Sequence, residues 1–75
     1  MAILEQGRSL YGHHAVVLEF DERGSVWNVS MNYYGNVIFQ EHRSLISAME
    51  NWSLVRFGGD EVGDWIRSHR VLEVA

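Results

Sequence analysis

The sequence predicts an α+β domain: an antiparallel β-meander of three strands, with a fourth available from the tail, and two short helices packed on one face. Three observations predict it. The first half of the chain alternates apolar and polar residues between turn signals. From Ser44 the apolar spacing becomes that of a helix. Strands precede helices instead of alternating with them, which is the α+β order.

Val16 to Phe20 reads as a strand entering a tight turn at Asp21-Glu22-Arg23-Gly24, with Asp at the first turn position and Gly at the fourth. The run SVWNVSMNYY then places Trp27, Val29, Met31 and Tyr33 on one side and Asn28, Ser30 and Asn32 on the other, a strand with one wet face. Pairing Phe20 with Ser25 sets Leu18 against Trp27 and Val16 against Val29, so apolar meets apolar. At Tyr34-Gly35-Asn36, a strict two-residue turn pairing Met31 with Gln40 mixes the faces. A three-residue loop with Asn36 left-handed pairs Tyr33 with Val37 and Met31 with Phe39, and is the register expected.

Behind Ser44 as a cap, Leu45, Ala48, Met49 and Trp52 fall on one helical stripe, giving a helix over roughly 44 to 52. SLVRF, residues 53 to 57, reads as a short strand or a connector. After Gly58-Gly59, Asp60 caps a second helix to about residue 69, with Val62, Trp65, Ile66 and His69 inward. The tail RVLEVA alternates and is β-like, a candidate cover for a sheet edge.

Seventy-five residues allow one domain with a small core, since a chain this short hides only about 60% of the surface its unfolded form exposes. Without cysteine there are neither disulfides nor thiolate metal sites. No apolar run approaches the roughly 18 residues of a membrane span, and MAILEQGRSLYG lacks the pattern of a secretory signal, so a cytoplasmic protein is expected. Net charge is −4, and all six basic residues are Arg. That balance argues against binding a nucleic-acid backbone, which needs clustered cations, and favours a basic partner.

GGDEVGDW has the glycine spacing of a phosphate loop, but Asp64 and Trp65 stand where Lys and Ser or Thr are needed. Asp60, Glu61 and Asp64 fill the field that would hold an anion. In the plain structural reading they cap the helix and oppose its dipole. In the functional one, Glu61 and Asp64 form an exposed acidic face that docks on Arg or Lys of another macromolecule. His13 and His14 point to opposite faces of a strand, His42 lies near the far end of the third strand, and His69 sits on the buried side of a helix, so no metal site is expected. No Ser stands in a nucleophile elbow, and a pair of carboxylates in so small a domain has little volume to enclose a substrate, so neither an enzyme nor a cofactor is expected. Trp27, Tyr33 and Phe39 resemble the stacking residues of sheet-based RNA binders, yet the register turns them towards the helices as core. Tyr34 alone is left exposed, in a turn suited to binding.

In size, acidity and order of elements the chain resembles the small phage-encoded anti-CRISPR proteins of type I systems. The likeness runs from the meander with turns DERGS and YYGN, through the helix RSLISAMENW, to a glycine-containing loop and a second short helix, over roughly residues 14 to 69. These inhibitors share no signature motif, so no functional residue is carried over. The resemblance implies a non-catalytic inhibitor in the bacterial host cytoplasm that binds a CRISPR surveillance complex and blocks target DNA or nuclease recruitment. The residues nominated for partner contact are Asp60, Glu61 and Asp64, with Tyr34, Asp21 and Glu22 as secondary contacts. The alternative is a self-associating structural domain, a homodimer instead of a monomer, that pairs through an exposed strand edge. A metal-dependent hydrolase using the carboxylates is a third.

Overall fold

The computed structural model describes residues 2–69. Its elements are β1 (Ala2–Arg8), β2 (Ala15–Asp21), β3 (Val26–Tyr33), β4 (Asn36–His42), α1 (Leu45–Phe57) and α2 (Asp60–Ser68). The four strands form one open antiparallel sheet in the order β1-β2-β3-β4. Both helices lie on one face, so the α+β meander holds. Alternate residues of the central strands, Val16 and Leu18 on β2 with Val29 and Met31 on β3, meet Ala48, Trp52 and Val55 of α1 and Val62, Trp65 and Ile66 of α2 in a single core. The strand period of two and the helical period thus converge on one apolar layer.

The fourth strand is the N-terminal β1, which the alternation did not reveal. A bulge between Ile3 and Glu5 shifts its register and breaks the period of two, and the strand is exposed along most of its length. An edge strand with so little burial carries little apolar pattern. The tail proposed as a fourth strand, residues 70–75, lies outside the described residues.

Both hairpin registers differ from expectation. In the first, Phe20 pairs with Trp27, Leu18 with Val29 and Val16 with Met31, two positions on from the expected partners. The ladder continues to Asp21↔Val26, and the loop is Glu22 to Ser25. Asp21 Oδ1 accepts the Arg23 N–H at 3.0 Å, and Ser25 takes the left-handed conformation at φ 52. A shift of two preserves the faces. In the second hairpin Tyr33 pairs with Asn36 across the two-residue turn Tyr34-Gly35, both residues at positive φ, 51 and 83. Asn32 Oδ1 accepts the Gly35 N–H at 3.1 Å. The left-handed positions fall on Tyr34 and Gly35, of which only the glycine pays no Cβ penalty, and not on Asn36. This register differs by one residue from the expected loop, so every side chain of β4 changes face. Ile38 is buried beneath the helices, and Gln40 also faces them, whereas Phe39, assigned to the core from sequence, lies on the open face.

α1 runs through SLVRF, which is neither strand nor connector. Ser44 caps it as expected, its Oγ accepting the Ser47 N–H at 3.3 Å. The buried stripe is Ala48, Trp52 and Val55; Leu45 and Met49, expected inward, are exposed. Val55 lies three residues beyond Trp52 and seven beyond Ala48, so the helix must continue to bury it. At the other end, α1's orphan carbonyls are taken by its own cap residue and by a distant turn. Gly58 N–H donates to Leu54 O at 2.7 Å, Ser9 Oγ to Val55 O at 2.7 Å, and Leu10 N–H to Arg56 O at 2.7 Å. Ser9, fully buried, also accepts the Tyr11 N–H at 3.1 Å and so ties the β1–β2 turn to the end of α1.

In α2 the cap position is Gly59, and Asp60 is the first helical residue instead of the cap. Glu61 Oε1 accepts the Gly59 N–H at 3.1 Å, satisfying a first-turn donor by reaching back. The buried stripe Val62, Trp65 and Ile66 is as expected, while His69 is only half-buried and bonds through Nδ1 to Trp65 O at 3.0 Å.

Candidate functional site

An antiparallel meander brings its first and third turns to the same end. Here that end gathers Tyr11, His13 and His14 from the β1–β2 turn with Tyr33 and Tyr34 from the β3–β4 hairpin. His14 lies against Tyr33 at 4.8 Å and against Tyr34 at 5.0 Å between ring centroids, and the two tyrosines pack edge to face at 4.6 Å. Tyr34 is 78% exposed at the summit of this cluster. Below it, α2 and the two turns enclose a cleft of about 320 Å³ lined by Tyr11, Tyr33, Gly63, Ile66 and Arg67.

Gly63 explains the second glycine of GGDEVGDW. A Cβ there would stand 2.9 Å from Tyr11 Oη, so the bare backbone of α2 admits the tyrosine and shapes the cleft wall. The glycine spacing therefore serves helix packing. Asp64 pairs with Arg67 across one turn of α2, both side chains largely exposed. Part of the acidic face is thereby neutralised by its own helix, and an exposed pair of this kind contributes little to stability.

Of the nominated residues, Asp60, Glu61 and Asp64 are all exposed on α2. Arg67, at the cleft wall, links Asp64 to the aromatic end. Asp21 and Glu22 sit at the opposite end of the sheet, separated from Tyr34 by the length of a strand, roughly 20 Å at the usual rise. The six do not make one contiguous surface. The histidines have separate surroundings: His14 packs on the tyrosines, His42 bonds Asn51 Oδ1 at 3.1 Å, and His69 packs on Trp65 at 5.4 Å.

A second surface went unread in the sequence. α1 is apolar on both sides. Away from its buried stripe it presents Ile46 and Met49 beside Glu50 and Ser53, with Leu45, Leu54 and Phe57 also exposed; Ile46 is 71% and Phe57 56% accessible. Phe57 is held edge-on to Trp52 at 6.2 Å, with the Arg56 guanidinium 4.9 Å from its ring centre. The signal was available, because apolar residues occur all around LISAMENWSLVRF, whereas a helix on a two-layer surface shows a polar outer face.

No protein-family model, curated protein sequence or solved structure matches this chain. Among the described residues, no helix is long and apolar enough to cross a membrane.

Proposed function

We propose that this chain is a non-catalytic protein-binding module. The observation that carries the reading is α1, on which five large apolar side chains outside the buried stripe, Leu45, Ile46, Met49, Leu54 and Phe57, are exposed among the described residues. Contiguous exposed apolar surface of this kind marks interaction sites. Tyr34, backed by His14 and Tyr33, and Arg67, at the wall of the cleft below, are of the residue types that dominate interface energetics. The test is retention of a partner from bacterial lysate by the immobilised chain, compared with the double variant Ile46→Glu, Met49→Glu. A specific partner held by the natural chain and lost with the variant, at unchanged thermal midpoint, is the expected result; equal retention by both removes α1 from the account.

The narrower reading, an inhibitor of a type I CRISPR surveillance complex acting in the cytoplasm of a bacterial host, rests on the resemblance in size, acidity and element order alone. Expression of the chain in a strain whose type I system restricts a phage is expected to restore plaque formation. Undiminished restriction would discard the inhibitor and leave the binding module standing. One structural feature favours the self-association alternative: the sheet is open, with β1 and β4 as its edges among the described residues. Sedimentation over a concentration series tests it, and a monomer up to high micromolar concentration excludes it.

A further inference from the structure

The register of β4 creates a feature on the sheet face away from the helices. Val17, Ser30 and Phe39 form one cross-strand row there, and Glu19, Asn28 and Glu41 form the neighbouring row. Between them lies a cleft of about 180 Å³ lined by Glu19, Asn28, Ser30, Val37 and Phe39. Its wall is the Phe39 ring, 44% exposed. At its floor, Asn28 Oδ1 is enclosed and has no hydrogen-bond donor among the described residues. An enclosed acceptor without a donor is costly, and its natural complement is an N–H group brought by another molecule. Two other enclosed side-chain atoms lack partners, Trp52 Nε1 and Arg56 Nε, but both are donors on α1; Asn28 supplies the acceptor.

The charges around Asn28 point the same way. Glu19 on β2 and Glu41 on β4 flank it directly in the ladder, and the recorded ion pair among the described residues is Arg67 with Asp64, on α2. Arg8, which shares this face, stands beyond Val17 and donates to the His13 carbonyl at 2.8 Å. The cleft therefore combines a carboxylate without an ion partner among the described residues, an amide oxygen without a donor among them, a hydroxyl and an aromatic wall. A guanidinium suits this lining: its planar face stacks on an aromatic ring while its edges donate N–H groups to the Glu19 carboxylate and the Ser30 hydroxyl, and a turn of the Asn28 side chain towards the cleft brings its amide oxygen within reach. A compact ammonium cannot stack and donate in this way at once.

We infer that this cleft receives an arginine side chain of a basic partner protein. The inference rests on the protein-binding reading and gives the chemistry of the partner. It is tested by titrating the full, isotope-labelled chain with the peptide acetyl-Gly-Arg-Gly-amide and following amide resonances, in parallel with the Lys and the uncharged citrulline peptides. The expected result is saturable movement of the Asn28 side-chain amide and of the Ser30 and Phe39 backbone amides. Affinity for Arg should exceed that for Lys at least threefold, with no saturation by citrulline. Glu19→Gln is expected to weaken binding about three- to tenfold at unchanged thermal midpoint, and Phe39→Leu to erase the preference for Arg over Lys. Unmoved cleft resonances, or equal movement along the Asp60 to Asp64 carboxylates, would overturn the site, the latter by showing only diffuse attraction to an acidic protein. The two readings fail separately. An inert cleft alongside a partner lost with the α1 variant sinks the arginine site alone, and a saturating cleft with α1 variants that change nothing sinks the α1 interface alone.

Discussion

Ser9 carries more of the architecture than its size suggests, because its hydroxyl donates to a carbonyl at the end of α1 and accepts from the Tyr11 N–H. Removing it leaves Val55 O and the Tyr11 N–H without partners in a buried place. Ser9→Ala is therefore expected to cost about 1–3 kcal/mol, read as a lowered urea midpoint at unchanged m-value. An unaltered midpoint would mean that water replaces the hydroxyl. Gly63 poses a different contest. Alanine in a helix interior is favoured over glycine by about 0.5–1 kcal/mol. Here, however, its Cβ would press on the hydroxyl end of Tyr11. The gain is expected to be absent in the natural chain and to appear in part, below about 1 kcal/mol, once Tyr11→Phe has removed that oxygen, because the ring carbon that carried it still stands 3.3 Å from the added Cβ. A double-mutant cycle of unfolding free energies measures the coupling, and strict additivity would deny the contact.

At the level of elements, the β3–β4 hairpin holds a bulky residue where a small one is easier. Tyr34 sits at φ 51, and a left-handed residue with a side chain costs roughly 1–2 kcal/mol unless it is Gly or Asn. Its exposed ring recovers part of that cost against His14 and Tyr33. Tyr34→Asn, which makes the preferred Asn-Gly turn, is expected to raise stability by about 0.5–1 kcal/mol while weakening partner binding. A variant both less stable and fully competent in binding would contradict the view that the strain serves the surface. The same hairpin shows how legible the elements were. Alternation along SVWNVSMNYY identified β3 and its buried face, and Ser44 marked the start of α1, because each depends on residues a few positions away. The identity of the left-handed residue in YYGN decides a register, and a choice between Gly35 and Asn36 moves Phe39 from core to open face. That left the cleft beside Asn28 invisible in the sequence. The end of α1 was equally out of reach, since the groups that satisfy Val55 and Arg56 come from the turn after β1, whose bulge hid the strand itself. Of the surfaces, Tyr34 and the α2 carboxylates were found exposed where anticipated, and on α1 Ala48 and Trp52 were read inward correctly while Leu45 and Met49, read inward with them, are exposed.

The whole molecule is wired almost entirely between neighbours. Each strand pairs with the one before it, and α1 returns over the central strands. Such a meander needs no long crossover, so its loop-closure cost is low for a sheet protein and collapse should proceed in one step. The chain has no proline, which removes the slow isomerisation of tens of seconds, and no cysteine to reshuffle. Refolding followed through Trp27, Trp52 and Trp65 is therefore expected to be a single exponential on the millisecond scale, with folding and unfolding rates whose ratio reproduces the equilibrium constant. A second, slow phase unchanged by dilution would contradict this topology, because nothing in the covalent chain can supply it. A slow phase that quickens with chain concentration would instead report association. It would transfer the exposed face of α1, or the free edges of the sheet, from a foreign partner to a second copy of the same chain.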